Sequence, residues 1–342
     1  MTYAPPPPPV SAPDPQPLAE GPSTPVPYGS GLAHVRGPWR GILAILLLVV
    51  AFLIVSTVLQ FGAIYIDIAS GALDPEDLLS GAIGFTPALL LSTNISLALM
   101  IPISLLLQRW LFGVRFRWMS SVEGRFRWRW MGRLALIIVP VWAVYIGATF
   151  LIEPLPDVRL DVSTILLLAI VLFTTPLQAA GEEYGTRGLV QRAAGSWFRN
   201  TSVAFVVGTL VSCALFGLAH LAGDPWLIAY YFLFGVSMSL ASRWSGGLEA
   251  PILIHTVNNV FIFLPAVLFG QLDEGIDRSD GAGGPFILLP IVICLLGAAL
   301  TAWWARRNNV ARLGMPPLTV KQERIADAQF HRPHVDPQQP PL

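Results

Sequence analysis

The chain contains eight apolar stretches, each about as long as a helix must be to cross a lipid bilayer. The hydrocarbon core of a bilayer is about 30 Å thick, so a helix that rises about 1.5 Å per residue needs about 20 residues to span it. Backbone polar groups in lipid must be satisfied within the span, which favours helices. The sequence therefore predicts an all-α fold, a polytopic membrane helix bundle with about eight transmembrane helices. The apolar windows lie near residues 41–66, 86–108, 134–152, 162–181, 201–221, 226–243, 250–270 and 285–305.

The composition agrees with a membrane protein. Hydrophobic residues make up 54% of the chain and charged residues only 12%, with a formal net charge of zero. Charged residues usually form about a quarter of a soluble globular domain. Because the charges balance, no overall field draws the chain to nucleic acid, and we expect the lipid bilayer, and no nucleic acid, among its partners.

The distribution of arginine predicts the orientation of the helices. Seven arginines lie between residues 109 and 133, in a segment that also carries several tryptophans, whereas the connections near residues 74–77, 153–161 and 273–280 are mainly acidic. Arginine and lysine accumulate in cytoplasmic loops, and tryptophan is enriched at the membrane interface. The Arg/Trp-rich loop is therefore predicted to be cytoplasmic, and both termini should lie on the same side.

The two ends of the chain are rich in proline. Segments of this composition cannot bury a core and favour an extended, solvated chain. We therefore expect a disordered N-terminal tail over residues 1–38 and a disordered C-terminal tail over residues 309–342. Between them, residues 39–158 should form the N-terminal transmembrane helices with the Arg/Trp-rich loop, and residues 159–308 a second helical bundle.

Two adjacent glutamates and an arginine follow the fourth apolar stretch, in the sequence EEYGTR. Charges at membrane depth are costly unless they are paired or functional. Glu183 and Arg187 are one helical turn apart and can pair, while Glu182 points about 100° away and is left free. Alternatively, the glutamates are interfacial charges at the end of a helix.

Two further polar motifs occur in apolar surroundings, FGLAH and HTVNN. Phe216 and His220 are one turn apart in the first motif, as are His255 and Asn259 in the second. Taken singly, each polar side chain could be an interhelical hydrogen-bond partner, and Phe216 a packing residue. Together with the glutamates, two imidazoles and an amide supply the groups of a hydrolytic site.

The chemistry of these groups allows two mechanisms. In the first, Glu182 is a general base that deprotonates water, His220 holds that water, and His255 with Asn259 stabilises the oxyanion. In the second, both histidines and a glutamate bind Zn²⁺ with an open fourth position. The chain lacks the HExxH spacing that would identify a zinc site, so the sequence leaves both mechanisms open.

The three motifs also carry a resemblance to a known family. EEYGTR fits the pattern EExxxR, FGLAH fits FxxxH and HTVNN fits HxxxN, in this order over about residues 160 to 270. The chain resembles the CPBP family, the CAAX prenyl protease and bacteriocin-processing type of intramembrane protease, also called the abortive-infection family. The resemblance implies an all-helical intramembrane endopeptidase whose catalytic bundle covers residues 159–308.

The resemblance also implies the roles of particular residues. Glu182 would activate the water with the help of His220, and His255 with Asn259 would bind a metal or stabilise the oxyanion. The two histidines would be metal ligands only in a zinc enzyme. The complete set of implied catalytic and supporting residues is Glu182, Glu183, Arg187, His220, His255 and Asn259.

From the motifs and the resemblance we expect a peptide or protein substrate held at the membrane, for example a prenylated protein, a leader peptide or another membrane protein. The protein should lie in a bacterial plasma membrane with its active site open to the cytoplasm. Two other classes also use polar residues within the membrane. One is a transporter, and the other is a non-catalytic immunity or scaffold protein.

The positions of the motifs in their helices raise a geometric difficulty. If both helices start at the inner surface, His220 lies roughly 28 Å up its helix and His255 only about 8 Å up. We therefore expect the fifth helix to begin below the inner surface, so that His220 reaches mid-depth. Pro176 and Gly181 are expected to break the fourth helix near the glutamates and expose its backbone to a cavity.

Overall fold

The computed structural model describes residues 24–35, 37–80, 84–151, 157–272 and 277–330. Within these ranges the chain is a bundle of α-helices with one short two-stranded ladder. Short 3-10 turns cover Tyr28–Ser30, Phe116–Met119 and Pro285–Ile287, and π-helical segments cover Gln108–Phe112 and Tyr184–Val190. The strands and α-helices are β1 (Val26–Pro27), α1 (Pro38–Ser70), α2 (Pro75–Ser80), α3 (Pro87–Ala98), α4 (Met100–Leu107), α5 (Trp128–Thr149), α6 (Val162–Glu183), α7 (Gln191–Gly195), α8 (Thr201–Ala219), α9 (Pro225–Ser245), α10 (Glu249–Leu268), α11 (Leu288–Arg307), β2 (Leu313–Gly314) and α12 (Val320–Phe330).

The predicted fold class is confirmed. Eight helices of the described chain are long and apolar enough to cross a membrane, and each coincides with one of the apolar windows. Three of them are composite, because α3 continues through α4 and a π segment, α6 continues through a π segment into α7, and a 3-10 turn opens α11. The candidate spans are Pro38–Ser70, Pro87–Phe112, Trp128–Thr149, Val162–Gly195, Thr201–Ala219, Pro225–Ser245, Glu249–Leu268 and Pro285–Arg307.

The longest uninterrupted helix, α1, shows how the sequence delimits a span. Pro38 occupies the first turn, where its missing N–H costs no helical hydrogen bond. Gly71 ends the helix in the left-handed conformation, with φ of 75°. Between them, large apolar side chains such as Phe61 and Tyr65 are exposed on the outside of the bundle. A surface of this kind fits contact with lipid.

Helix α6 lies between α3 and α10 and carries the glutamates into the bundle. The expectation that Pro176 and Gly181 break this helix is wrong, since α6 runs through both to Glu183. A single proline removes only one helical hydrogen bond, which a span packed among other helices tolerates. Gly181 is required by the packing, because a Cβ at this position would lie 1.9 Å from the carbonyl oxygen of Leu97 and clash with it. It lets the backbones of α3 and α6 approach closely.

The arginine-rich loop packs against one end of the helical bundle and is partly buried. Backbone hydrogen bonds join Val122 to Gly246 and Leu248 to Ser120, which ties the loop to the turn between α9 and α10. Trp110 and Trp128 are exposed, as expected for residues at a membrane interface, but Trp130 is buried in the core. We call this end of the bundle the arginine face; it comprises residues 113–127, 196–200, 246–248 and 308–319.

Arg127 of this loop is buried and forms an ion pair with the buried Glu249 at the start of α10. Its Nε lies 2.9 Å from Oε1 of Glu249, and its Nη2 lies 2.7 Å from Oε2. The same guanidinium donates to the carbonyl oxygens of Ser245 and Ala311. One buried cation therefore connects the loop, α9, α10 and the segment after α11.

Parts of the two predicted tails carry secondary structure among the described residues, and the expected boundaries of the tails stay a prediction. The antiparallel ladder pairs Val26 with Gly314 and Pro27 with Leu313, so the two ends of the described chain meet on the arginine face. Tyr28 is buried, and its hydroxyl donates to the carbonyl oxygen of Met119. These apolar and aromatic side chains provide a packing surface within proline-rich sequence.

The C-terminal segment also contains α12, which lies against the loop through an ion pair between Arg115 and Glu323. The outer parts of both predicted tails, residues 1–23 and 331–342, lie outside the described residues.

The opposite end of the bundle carries the connections that are mainly acidic in sequence. Phe85 N donates to Leu272 O, Arg159 N to Leu268 O and Gly223 N to Arg278 O, which brings these connections together. We call this end the acidic face; its described residues are 71–80, 84–86, 157–161, 220–224, 269–272 and 277–284. The assignment of the arginine face to the cytoplasm stays a prediction.

Candidate active site

The glutamates, the arginine and one histidine form a buried cluster at the junction of α6 and α10. Nε2 of His255 lies 3.0 Å from Oε2 of Glu182, and its Nδ1 lies 2.8 Å from Oε1 of Glu183. The structure contains the predicted pair of Glu183 and Arg187, with Nη1 3.2 Å from Oε1. His255 therefore connects the two carboxylates, an arrangement that the spacing of the motifs did not reveal.

The hydrogen bonds of this cluster constrain its protons. A neutral imidazole donates through only one ring nitrogen, whereas a carboxylate only accepts. For both nitrogens of His255 to bond to carboxylate oxygens, either the ring carries both protons or one glutamate is protonated. The cluster of Glu182, Glu183 and His255 therefore carries one proton more than a neutral imidazole and two carboxylates would.

Glu182 is the member of the cluster that reaches open space. Its side chain is 12% exposed, against 3% for His255 and 0% for both Glu183 and Arg187. Its Oε1 has no hydrogen bond to any described residue, while Oε2 is held by His255. One carboxylate oxygen is therefore fixed and the other is available to a bound molecule.

The π-helical segment after Glu183 turns the next residues toward the neighbouring helices. It covers Tyr184–Val190, and Nη1 of Arg187 donates to the hydroxyl of Thr186 at 2.7 Å. The guanidinium of Arg187 lies over the ring of Phe216, 4.9 Å from its centroid. The EExxxR and FxxxH motifs are thereby in direct contact. Single π turns in long helices often occur at functional sites.

His220 is held at the end of α8 by its own helix and by α9. Its Nδ1 lies 2.7 Å from the carbonyl oxygen of Phe216, so Nδ1 is the donor. Its ring stacks on that of Tyr231, with centroids 3.9 Å apart. In the neutral ring Nε2 is then an acceptor, and it has no hydrogen bond to a described residue.

Asn259 is positioned by residues that were not selected from the sequence. Its Nδ2 donates to Oε1 of Gln178 at 3.1 Å, and its Oδ1 accepts from Asn258 at 3.2 Å. Asn258 also donates to the hydroxyl of Tyr230. Gln178 lies one helical turn before Glu182, a spacing that could have identified it as a neighbour of the glutamate.

The predicted pairing of His255 with Asn259 as oxyanion donors differs from this arrangement, because both nitrogens of His255 face glutamates.

One cavity of about 280 Å³ brings the predicted residues together. Glu182, His220, His255 and Asn259 all contribute to its lining, which supports the expectation that the end of α8 reaches the depth of the glutamates. The volume is at the lower end of the roughly 300–1,000 Å³ that is usual for ligand pockets. What each of these residues does in the cavity stays a prediction.

The cavity extends toward the acidic face. The two residues of its lining that lie outside helices and away from the predicted motifs are Phe85 and Arg278, and both belong to that face. His255 is only six residues into α10 from the arginine face, and its side chain is only 3% exposed. Beyond it, Glu183 and Arg187 are fully buried. The expected opening of the site to the cytoplasm stays a prediction.

The arrangement does not fit a three-ligand zinc site. Among the described residues, no group of three His, Cys, Asp or Glu side chains is placed to hold a metal ion. Both ring nitrogens of His255 face carboxylate oxygens, and Nδ1 of His220 is bound to a carbonyl oxygen. A metal would have to displace the contacts that hold the cluster together.

The fold and the site define a polytopic membrane protein with an acid and imidazole cluster buried in its helical bundle. Residues 163–261 match the family described as type II CAAX prenyl endopeptidase Rce1-like, and this range includes all six predicted site residues. The chain is 43% identical over 65 residues to the membrane-embedded CAAX protease MroQ of Staphylococcus aureus (strain USA300), which covers 19% of this chain and 26% of the relative. It is 25% identical over 158 residues to the uncharacterized protein YyaK of Bacillus subtilis (strain 168), covering 43% of this chain and 52% of the relative. No solved structure matches the chain.

The resemblance predicted from the three motifs is confirmed for the part of the chain that carries them, since the match over residues 163–261 and the similarity to a membrane-embedded CAAX protease support an assignment of this part to the CPBP family. The assignment rests on the second half of the chain, and the chain spans between about a quarter and a half of the length of these curated relatives.

Proposed function

We propose that this protein is an intramembrane endopeptidase that hydrolyses a peptide bond of a membrane-associated peptide or protein. The observation that carries the proposal is the geometry of Glu182. One of its oxygens is fixed by His255, and the other has no described partner beside a cavity that His220 and Asn259 also line. The family match and the similarity to a protein named as a CAAX protease support the same activity.

The proposed reaction uses a water molecule and Glu182. The free oxygen of Glu182 accepts a proton from water while the water oxygen attacks the carbonyl carbon of the scissile bond. Nε2 of His220 accepts a hydrogen bond from the same water and orients it. The second N–H of Asn259 donates to the oxyanion that forms, since only its first is used by Gln178. Glu182 then returns the proton to the leaving nitrogen as the C–N bond breaks.

His255 and the pair of Glu183 and Arg187 support this reaction without contacting the substrate. His255 keeps Glu182 in one rotamer and can share its proton, and Glu183 orients the imidazole. Arg187 balances the second carboxylate. A fixed general base is expected to contribute more than a mobile one, because less reorganisation precedes the attack.

The purified protein in detergent is expected to cleave members of a library of quenched fluorescent peptides, with products identified by mass spectrometry. Because the donor set does not fit zinc, cleavage should persist after treatment with a chelator. The matched control is the Glu182→Gln protein, expressed and purified in the same way. A carrier would cleave nothing and would need sealed vesicles and a gradient for activity, and that result would contradict the proposal.

We further propose that the substrate enters from the acidic face, since Phe85 and Arg278 of that face line the cavity. With the arginine face in the cytoplasm, the entrance lies outside a bacterial plasma membrane. The bacterial location is supported by the two relatives, which come from bacteria.

The side of entry can be tested with introduced cysteines. A membrane-impermeant maleimide added to intact cells should label Phe85→Cys and leave Arg117→Cys, at an exposed position of the arginine-rich loop, unlabelled. In inverted vesicles the pattern should reverse. The parent protein is the control, because its Cys213 and Cys294 are buried. Labelling of Arg117→Cys alone in intact cells would place the entrance in the cytoplasm.

A further inference from the structure

A single arginine projects into the cavity from the acidic face. Arg278 is the one Lys or Arg among the described residues that line the cavity. It forms no ion pair with a described residue, and its Nε is buried without a hydrogen-bond partner. A buried donor without a partner is costly, and a guanidinium binds anionic groups well, so the position of Arg278 in a cavity indicates an anionic partner.

The loop that carries Arg278 is held in place, so the position of this charge is defined. The carbonyl oxygen of Arg278 accepts a hydrogen bond from Gly223 N at 2.8 Å. Three residues further on, Gly281 N donates to Oδ2 of Asp224 at 3.1 Å, and Asp224 also caps α9. These bonds attach the loop to the turn that follows His220.

The walls of the cavity indicate what kind of molecule carries the anion. The lining includes apolar side chains such as Leu90, Ile262 and Phe263, together with amides from α3, α6 and α10 and two tyrosines from α9. An apolar molecule with one negative group fits this surface, with its charge at Arg278. The negative group is not expected to bind beside Glu182, because the carboxylate of Glu182 would repel it there.

We propose that Arg278 binds a carboxylate of the substrate peptide at the entrance of the cavity and thereby sets which peptides are cleaved. The planar guanidinium can bind a carboxylate through two parallel hydrogen bonds, which fixes the direction of the peptide. The carboxylate is either the C-terminus of the peptide or an acidic side chain. This inference rests on the proposed endopeptidase function, since it concerns the same cavity.

The test measures binding separately from cleavage. Three dansyl-labelled apolar hexapeptides serve as probes: one with a free C-terminal carboxylate, one amidated, and one amidated with an internal glutamate. Their affinity for the full-length Glu182→Gln protein in detergent is measured by fluorescence anisotropy. The same protein with Arg278→Gln, Arg278→Lys or Arg159→Gln is compared, the last being the other arginine of the described acidic face and outside the cavity lining.

The free-acid or the glutamate peptide should bind about 10- to 100-fold more tightly than the neutral one, and the preferred probe identifies the source of the carboxylate. Arg278→Gln should remove this preference without weakening the neutral peptide. Arg278→Lys should restore part of it, and Arg159→Gln should leave it unchanged. Thermal unfolding of each variant checks that its fold is retained.

A preference that survives Arg278→Gln, or equal affinity of all three peptides for the parent protein, would overturn the inference. Failure of the carboxylate-binding inference can be distinguished from failure of the proposed endopeptidase function. A protein that binds carboxylates through Arg278 and cleaves nothing is not an endopeptidase, whereas one that cleaves charged and neutral peptides alike has no carboxylate subsite. In an active enzyme Arg278→Gln should raise KM for the charged peptide and leave kcat nearly constant.

Discussion

Replacement of Glu182 by glutamine is expected to lower kcat for peptide cleavage by about 10²- to 10⁴-fold, the usual contribution of a general base. The amide has nearly the same shape as the carboxylate and can still accept a hydrogen bond from His255. It cannot take a proton from water, so attack on the peptide bond loses its base. The measurement is single-turnover cleavage of a peptide found in the library, with the variant and the parent protein at equal concentration.

A matched control separates the loss of the base from the loss of a negative charge. Glu76 is exposed on the acidic face and lies outside the cavity lining, so Glu76→Gln should cleave at the rate of the parent protein. Both variants should unfold at similar temperatures, because Glu182 is the least buried member of its cluster. Retention of full activity by Glu182→Gln in a pure preparation would eliminate the mechanism proposed here.

Replacement of Arg127 by methionine is expected to lower the free energy of unfolding by about 3–5 kcal/mol, the usual effect of removing one member of a buried ion pair. The change leaves Glu249 buried, with its two shortest contacts to the guanidinium lost, and frees two carbonyl oxygens that Arg127 now satisfies. Thermal or denaturant unfolding of the purified protein in detergent measures the effect.

The neighbouring exposed pair provides the control for this prediction. Arg125 lies 2.8 Å from Glu123, but its side chain is 75% exposed, and such pairs contribute about 0–1 kcal/mol. Arg125→Met should therefore change the stability little. Combining Arg127→Met with Glu249→Leu should recover part of the loss, because no unpaired charge stays buried. Equal stability of Arg127→Met and Arg125→Met would show that the buried pair does not anchor the loop.

The helical spans could be predicted from the sequence because each depends on a local property. An apolar run of about 20 residues has one stable solution in lipid, so all eight windows became helices. The pair of Glu183 and Arg187 was also predictable, since a separation of four residues places two side chains on one face of a helix.

The contacts that connect different spans could not be predicted in this way. His255 binds both glutamates across a distance of more than seventy residues in the chain, and only packing of α6 against α10 determines that contact. Gln178 and Asn258 looked like ordinary polar residues until their partners were known. Pro176 and Gly181 suggested a broken helix by composition, whereas the close approach of Leu97 explains the glycine.

The direction of the cavity was also beyond the reach of sequence patterns. Charge counts predict which connections face the cytoplasm, but they do not tell at which end of the helices the interior is open. In the structure the arginine-rich loop fills its own end of the bundle, with Val114 and Met119 fully buried, whereas Phe85 and Arg278 of the acidic face line the cavity.

The ladder between β1 and β2 has a consequence for biogenesis. Val26 and Pro27 leave the ribosome early, but their partners Leu313 and Gly314 are synthesised only after the last span. The N-terminal strand β1 therefore has no pairing partner until all eight candidate spans have been synthesised. Closure of this ladder marks the completion of membrane insertion, and a nascent chain arrested before residue 313 would lack it.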